Sequence, residues 1–237
     1  MELRPVKKEE KIEFITDVPE SFDVREQWPE CKKEIRDEGP CSSSWALSAI
    51  EVLAWRFCIA TSGSINLVLS VQDILSCNDN NYGCEKGYSD YTWDYLSKTG
   101  VVTESWFPYE SSHGFIPPCR DSCVREEPWI KYKSTQYKEY ITPSAIKDTV
   151  YKNGPIQTSF TVYSDFMQYE SGIYNHVSGT LLGGHDVVII GWGIEDGTKY
   201  WIAQNSWGKD WGEQGYFRIV EGICKFDEQG IAGEALV

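Results

Sequence analysis

The sequence has little positive charge, few histidines and no long apolar run. Its 237 residues carry 22 basic against 36 acidic side chains, a net charge of -14, and only three histidines. This negative charge repels phosphate backbones, so we expect no nucleic-acid partner. The longest apolar stretches, such as Val187 to Ile190, fall far short of the roughly 20 residues of a membrane-spanning helix, so we predict a soluble protein without membrane insertion.

The shortage of histidine also argues against a metal site. Eight cysteines beside so few histidines predict disulfides formed in an oxidising compartment, and we expect neither a metal nor a cofactor. Three residues separate Cys119 from Cys123, whereas the hook of a structural zinc site has two. No apolar secretory segment opens the chain, because residues 1–14 are mostly charged. Either a signal has been removed or the product takes no secretory route, and the cysteines favour removal.

The chain divides into a charged lead, a helical half and a β half. Residues 1–17 have little to bury and are expected to be a flexible tail or the stub of a removed pro-segment. The strongest helix begins near Ser44, because apolar residues then recur at helical steps. They are Ala46, Ala49, Ile50, Leu53, Ala54, Phe57 and Cys58. Ser44 therefore lies at a helix N-terminus, where backbone amides favour negative charge.

Capping and breaking residues predict three more helices and, after Pro155, four strands separated by glycine-bearing turns. The helices cover residues 70–75, 88–98 and 142–153, and the strands cover residues 156–162, 186–190, 199–203 and 215–220. The predicted fold class is α+β.

Three motifs occur in the order of a nucleophile, a histidine and an asparagine. They lie in residues 37–48, 183–188 and 204–208. Together they resemble the papain family of cysteine peptidases, in which a Cys attacks the scissile carbonyl with a His as its base and an Asn orienting the His. On this resemblance the catalytic positions are Ser44, His185 and Asn205, with Glu38 where the family has an oxyanion-stabilising Gln.

The resemblance implies a papain-like fold of two lobes. A helical lobe is expected at about residues 31–128 and a β-barrel-like lobe at about 129–237, within a single peptidase domain of residues 18–237. The cleft between them carries Ser44 on one wall and His185 with Asn205 on the other. A peptide or protein ligand in this cleft, a monomeric state, and a lysosome-like or secreted location follow as expectations.

Within the family the chain is similar to the cathepsin B-like proteins. Residues 22–31, 162–166 and 171–174 carry that likeness. Cathepsin B-like enzymes have an occluding loop with paired histidines, but only residues 110–118, with one histidine, lie between Tyr109 and Cys119. The resemblance thus implies an open cleft at its primed end.

The resemblance also implies three disulfides. By position they join Cys31 with Cys58, Cys41 with Cys84, and Cys77 with Cys119. Cys123 is left over and its pairing stays open, while Cys224 matches an unpaired position.

Five further residues correspond to substrate-binding positions: Lys86, Gly87, Gly184, Trp207 and Gln229. Lys86 either changes binding on the non-primed side or turns to solvent, and both interpretations stay open. Gln229 takes the place of an acidic residue, so an apolar side chain is expected there in preference to arginine, unless Asp227 or Glu228 reaches the pocket.

Ser44 in place of the family's cysteine and Glu38 in place of its glutamine predict a loss of activity. The environment that ionises a thiol cannot ionise the Ser44 hydroxyl, and the neutral Asn205 cannot stabilise a charged imidazole as a triad carboxylate does. An ionised Glu38 accepts where a Gln would donate. We further expect Glu38 to raise the pKa of His185 above its usual value.

Three hypotheses follow. The first is an inactive cathepsin B-like protein that binds peptides as a decoy or regulator. The second is a slow serine-dependent or engineered cysteine endopeptidase, and the third is a surface protein with a vestigial cleft. A laboratory Cys-to-Ser change would explain Ser44 but not Glu38, Ser42 or Lys86, which favours natural loss.

Overall fold

A computed structural model of the protein describes residues 18–120 and 130–237. The predicted lead, Cys123 and the predicted lobe boundary near residue 128 lie outside these ranges. The lobe boundary and the pairing of Cys123 therefore stay predictions.

Five helices lie in the described residues, together with single 3₁₀ turns at Pro29–Cys31, Ser111–His113 and Phe166–Gln168. The helices are α1 Val24–Gln27, α2 Ser44–Ala60, α3 Val71–Cys77, α4 Ser89–Lys98 and α5 Pro143–Asn153. No helix among residues 18–120 and 130–237 is both long and apolar enough to cross a bilayer.

Side-chain caps fix two of the predicted helix starts. Ser70 Oγ accepts from Asp73 N at 3.0 Å at the start of α3. Thr142 Oγ1 accepts from Ala145 N at 3.2 Å before α5, which then ends at Gly154 with φ of 94°. Each cap satisfies a backbone amide that the first helical turn leaves unpaired, so both starts are confirmed where the sequence predicted them.

Helix α2 is buried on all sides rather than along the single apolar face that was predicted. Every residue from Ser44 to Cys58 is buried, including the charged Glu51 and Arg56. Arg56 donates from Nε to the Pro155 carbonyl at 3.0 Å and pairs through Nη1 with Glu234 at 2.7 Å. A buried guanidinium needs such partners, and they tie the helix to the β half of the chain.

One sheet of eight strands forms the second layer, in the order β2-β8-β3-β5-β6-β7-β4 with β1 beside β5. The strands are β1 Phe22–Asp23, β2 Lys138–Tyr140, β3 Ile156–Tyr163, β4 Ile173–Tyr174, β5 Leu181–Glu195, β6 Thr198–Gln204, β7 Tyr216–Val220 and β8 Gly230–Ala232. All pairs are antiparallel except β4 with β7.

Strand β5 is much longer than the predicted five residues. Residues 181–189 pair with β3, and residues 188–195 pair with β6, with a register shift at Ile189/Gly191. Gly191 faces Asp23 of β1, and a Cβ there would lie 2.1 Å from the Phe22 carbonyl oxygen. The glycines that looked like turn residues are therefore strand residues that admit a close neighbouring backbone. His185 thus lies within a paired strand.

The three disulfides implied by the resemblance are present. Cys31–Cys58, Cys41–Cys84 and Cys77–Cys119 have Cα separations of 5.6, 4.5 and 4.8 Å. The second fixes the segment before α2 against the loop that leads to Gly87. Cys224 is a free thiol.

Candidate active site

Ser44 is the first residue of α2 and is 8% exposed. Its hydroxyl Oγ accepts from the backbone amide of Asp186 at 3.3 Å, across the interface between helix and sheet. Trp45, the next residue, is anchored by its indole Nε1 donating to the Gly83 carbonyl at 3.0 Å. The helix start is therefore fixed on one side by Trp45 and reaches the sheet on the other.

His185 and Asn205 form a hydrogen-bonded pair on the opposite side. His185 Nε2 lies 2.7 Å from Asn205 Oδ1, which also accepts from Ser206 N at 2.9 Å. The indole of Trp207 packs against the imidazole with ring centroids 4.7 Å apart. Because Asn205 Oδ1 can only accept, Nε2 carries the ring proton and leaves Nδ1 as the basic nitrogen.

The Glu38 carboxyl group lies at the N-terminus of α2. Its Oε2 accepts from Ser43 N at 3.0 Å, and its Oε1 accepts from Trp207 Nε1 at 2.7 Å. The neighbouring backbone amide of Ser44 also favours the charged form of this carboxyl group and so acts to lower its pKa. Oε1 lies 3.9 Å from His185 Nδ1. The carboxyl group thus takes the place of an anion bound at the start of a helix.

The two ionisable groups have pKa values shifted in opposite directions. Burial raises the pKa of Glu38 to about 7, against the lowering effect of its hydrogen bonds from Trp207 and the Ser43 and Ser44 amides. Burial lowers the pKa of His185 to about 4, although the hydrogen bond to Asn205 favours its charged form.

The prediction that Glu38 raises the pKa of His185 is wrong. It assumed a site open to water, whereas both side chains are only 8% exposed. Desolvation disfavours both charged forms. Between about pH 4 and 7 the carboxyl group holds a proton and the imidazole does not. Glu38 is therefore an ionised acceptor only at higher pH.

The loop carrying Lys86 and Gly87 lies beside the helix start. Lys86 Nζ lies 4.9 Å from the ring centre of Tyr82 and 5.8 Å from that of Tyr88. The cation packs over exposed aromatic rings. A Cβ on Gly87 would lie 2.2 Å from Trp45 Cδ2, so glycine is needed there to admit the tryptophan.

Gly184 has nothing within 4 Å of a Cβ added to it, so the space in front of it is open. Gln229 and Gly87 line a groove of about 660 Å³ that includes Asp186. The Gln229 position alone suggested a neutral groove. The groove carries negative charge, because Glu228 also lines it. Asp227 is buried instead, accepting from Trp201 Nε1 at 3.0 Å. Of the two acidic residues that could reach the pocket, Glu228 therefore does and Asp227 does not, and the preference for an apolar side chain stays a prediction.

Two residues of the site escaped the sequence analysis. Tyr109 donates its hydroxyl to the Glu38 carbonyl at 2.9 Å and lies 2.8 Å from Ser43 Oγ. Asp186 follows His185 directly and was treated as part of the histidine motif. Its position beside an apolar run gave a signal, since a carboxylate entering a buried strand needs a partner.

A helix that begins at Ser44, set against a sheet bearing a His–Asn pair, is the arrangement of a papain-type peptidase fold. The fold agrees with that of procathepsin B S9 from Trypanosoma congolense, with a TM-score of 0.86 and 34% sequence identity over 98% of this chain and 82% of that one. A digestive procathepsin L2 from Tenebrio molitor larval midgut matches with a TM-score of 0.80 and 27% identity, over 92% of this chain and 69% of the other.

Residues 18–236 match the family model described as papain family cysteine protease, and the chain belongs to that family. It is 39% identical to cathepsin B-like cysteine proteinase 5 of Caenorhabditis elegans, over 91% of this chain and 74% of that protein. It is 40% identical to cathepsin B-like CP2 of Giardia intestinalis, over 92% of this chain and 74% of that protein. By homology it is a cathepsin B-like member of the family.

Proposed function

We propose that this chain is a catalytically inactive cathepsin B-like protein that binds peptides in its cleft. The observation that carries the proposal is the position of the Glu38 carboxyl group. It accepts from the Ser43 amide at the helix start and from the Trp207 indole on the opposite wall. The Ser43 amide lies next to the Ser44 amide, where a developing oxyanion would need donors.

The occupied donors make oxyanion stabilisation unfavourable. A tetrahedral intermediate formed at Ser44 would place its oxyanion beside the Glu38 carboxyl group, which already accepts from the neighbouring Ser43 amide. Losing one oxyanion donor typically costs about 10²–10³ in kcat. A negative charge in the same position, as at pH above 7, adds repulsion.

The nucleophile is a second, independent weakness. Ser44 stands where the resemblance places the family's cysteine, and its hydroxyl is already an acceptor for Asp186 N. No hydrogen bond from Ser44 Oγ to His185 occurs among the bonds of residues 18–120 and 130–237. Serine attack requires a base helped by a buried carboxylate, and an amide in that third position costs about 10⁴ in turnover.

A retained cleft supports peptide binding. The segment between Tyr109 and Cys119 is short, which leaves the primed end without an occluding loop, and the space in front of Gly184 is open. The three disulfides suit an oxidising location, either lysosome-like or secreted, and we expect a monomer.

A second candidate is a slow serine-type peptidase that works in acid. It is favoured by the Glu38 pKa of about 7. Below that pH the carboxyl group is neutral and has one O–H to donate, as a buried carboxylic acid does in other oxyanion sites.

Measuring binding and turnover in parallel tests both candidates. A labelled peptide library is titrated by fluorescence anisotropy at pH 5.5 and 7.5, and cleavage is followed by mass spectrometry with Ser44→Ala as the control. Binding without cleavage supports the proposal. Cleavage that Ser44→Ala abolishes would establish the acid-active candidate, and absence of binding would leave only a vestigial cleft.

A cleft-blocking variant shows whether binding uses the cleft. Gly184 has no neighbour within 4 Å of an added Cβ, so Gly184→Tyr is tolerated by the fold but fills the space in front of it. It should abolish binding without lowering the melting temperature. Unchanged binding would place the peptide elsewhere.

A further inference from the structure

A small cavity lies between helix α2 and the end of strand β6, next to the His185–Asn205 pair. Helix α2 contributes Ser48 and Glu51 to its lining, and the end of β6 contributes residues 204–206. Its volume is about 10 Å³, and about 10–15 Å³ is enough for a single water molecule. The cavity can therefore hold one water and no larger ligand.

Four buried polar atoms of the lining residues have no hydrogen-bond partner among residues 18–120 and 130–237. They are Glu51 Oε2, Gln204 Oε1, Asn205 Nδ2 and Ser206 Oγ. The four residues are only 3% to 7% exposed, so bulk water does not supply the missing bonds. Buried polar groups without partners are rare because they are unfavourable, and four of them around one cavity indicate a shared partner.

The donors and acceptors of these four atoms match those of a water molecule. The Glu51 carboxylate oxygen and the Gln204 carbonyl oxygen accept hydrogen bonds, whereas the Asn205 amide nitrogen and the Ser206 hydroxyl donate them. A water donates two hydrogen bonds and accepts two. A metal cation takes oxygen ligands and would face the N–H groups of Asn205, and an anion would face Glu51. Water therefore suits all four atoms, and an ion suits only some of them.

No neighbouring cation takes the place of this water at Glu51. Arg36 also lines the cavity, but its Nη2 pairs with Glu104 at 2.8 Å and its Nη1 donates to the Leu69 carbonyl at 3.1 Å. Burial raises the pKa of Glu51, although the charges of Arg36 and Lys33 act to lower it. With or without its proton, the carboxyl group can form a hydrogen bond with a water.

We propose that this cavity is a binding site for one buried water, hydrogen-bonded to the four unpaired atoms, and that Glu51 positions Asn205 through it. Both ends of the Asn205 amide then have partners. Its Oδ1 is bonded to His185 Nε2 at 2.7 Å and to Ser206 N at 2.9 Å, and its Nδ2 donates to the water. The water connects helix α2 to the wall that carries the His–Asn pair. This inference does not depend on the proposed function, because it concerns the orientation of the pair and not turnover.

Two serine-to-alanine variants test the water by the sign of their effect on stability. Ser134 is the matched control, because its buried Oγ also has no partner in the described part of the chain but does not line this cavity. If the water is bound, Ser206→Ala removes a hydrogen bond and should lower the melting temperature by about 2–4 °C. Ser134→Ala should leave the melting temperature unchanged or raise it. A Ser206→Ala variant that behaves like this control would overturn the proposal, since removal of an unpaired hydroxyl costs no hydrogen bond.

A high-resolution crystal structure of the unchanged protein tests the site directly. We expect one density peak at about 2.7–3.2 Å from the four unpaired atoms, which is the range of hydrogen bonds. A cavity without density would overturn the proposal. A peak at about 2.3–2.6 Å from the oxygens of Glu51 and Gln204 would also overturn it, because that is the distance of a bound calcium ion.

The ¹⁵N spectrum of the His185 ring tests the positioning role of Glu51, because the two neutral tautomers give different spectra. At pH 7.5, where the ring is neutral, the unchanged protein should show one form with its proton on Nε2. In Glu51→Leu the water loses an acceptor and the Asn205 amide is held less firmly, so a second form protonated on Nδ1 should appear. Glu51→Gln keeps an acceptor oxygen and should restore the single form. One form protonated on Nε2 in all three proteins would overturn the positioning role.

Discussion

The two walls of the cleft differ in how far they keep the chemistry of their family. On the β wall, His185 and Asn205 retain a 2.7 Å hydrogen bond and a packed Trp207. On the helical wall, Ser44 stands where the family resemblance places a cysteine, and Glu38 accepts from the Ser43 amide at the helix start. The packing that positions a site can therefore persist after its reactive groups have changed.

The walls also respond to pH in opposite ways. The pKa of Glu38 is raised to about 7 and that of His185 is lowered to about 4, in both cases because burial disfavours charge. Glu38 contributes stability to the folded state at low pH, and this contribution is lost as the pH rises from 4.5 through about 7. His185 contributes stability above pH 6.5, and its contribution is lost as the pH falls through about 4.

Restoring both groups on the helical wall should have the largest effect. Ser44→Cys recreates a thiol, but the Glu38 carboxyl group still occupies the Ser43 amide beside it. The double variant Ser44→Cys with Glu38→Gln should exceed the single variant by at least about 10² in kcat/KM above pH 7. Hydrolysis of a fluorogenic dipeptide substrate measures this.

The ratio of kcat/KM between the double and the single variant should depend on pH, and this dependence tests the role of the Glu38 charge. Because Glu38 is protonated below about pH 7, the gain from Glu38→Gln should shrink at pH 5.5. A ratio that is large and independent of pH would mean that occupation of the amides matters and the charge does not. Equal rates for the two variants at every pH would show that Glu38 does not act on the site.

A stability measurement tests the opposite pH responses. Between pH 5 and 7 the raised pKa of Glu38, about 7, should lower the free energy of unfolding by about 2 kcal/mol. Glu38→Gln should remove that loss, so its stability relative to the unchanged protein should rise by about 2 kcal/mol over this range. The loss from Asp186, whose pKa is about 6, and the opposing gain from His185, whose pKa is about 4, are present in both proteins and cancel in this difference. Urea denaturation at several pH values measures it.

The control for this experiment is Glu85→Gln, which removes the same charge from an exposed position. It separates the buried group from the change in net charge. If the free energy of unfolding of Glu38→Gln depends on pH as that of this control does, then burial does not disfavour the charged form of Glu38 in the folded protein.

Tyr109 offers the smallest and most local test. Tyr109→Phe removes the hydroxyl that donates to the Glu38 carbonyl at 2.9 Å and lies 2.8 Å from Ser43 Oγ. We expect a loss of about 1 kcal/mol in the free energy of unfolding. The Ser44→Cys rate should change with it, because the helical wall loosens.

Tyr151→Phe is the matched control, since that hydroxyl has no hydrogen bond among residues 18–120 and 130–237 and its ring packs on Phe22. Chemical denaturation of both variants gives the comparison. Equal losses would mean that Tyr109 does not support the helix start in particular.

The sequence by itself determined the family, the fold class and the local structure of most elements. Capping residues such as Ser70 and Thr142 act over a few residues, so their helices began where they were predicted. The motif residues Ser44, His185 and Asn205 were found because their spacing is tied to one fold. The disulfides came from the resemblance, as spacing alone does not fix connectivity.

The tertiary structure decided whatever depends on burial and on neighbours from distant segments. It showed α2 buried all round, β5 extended by pairing with three strands, and Asp186 held by serines from two elements. It also reversed the expected pKa shift of His185. Desolvation depends on how closely the whole chain surrounds a group, and no local pattern around Glu38 or His185 encodes that.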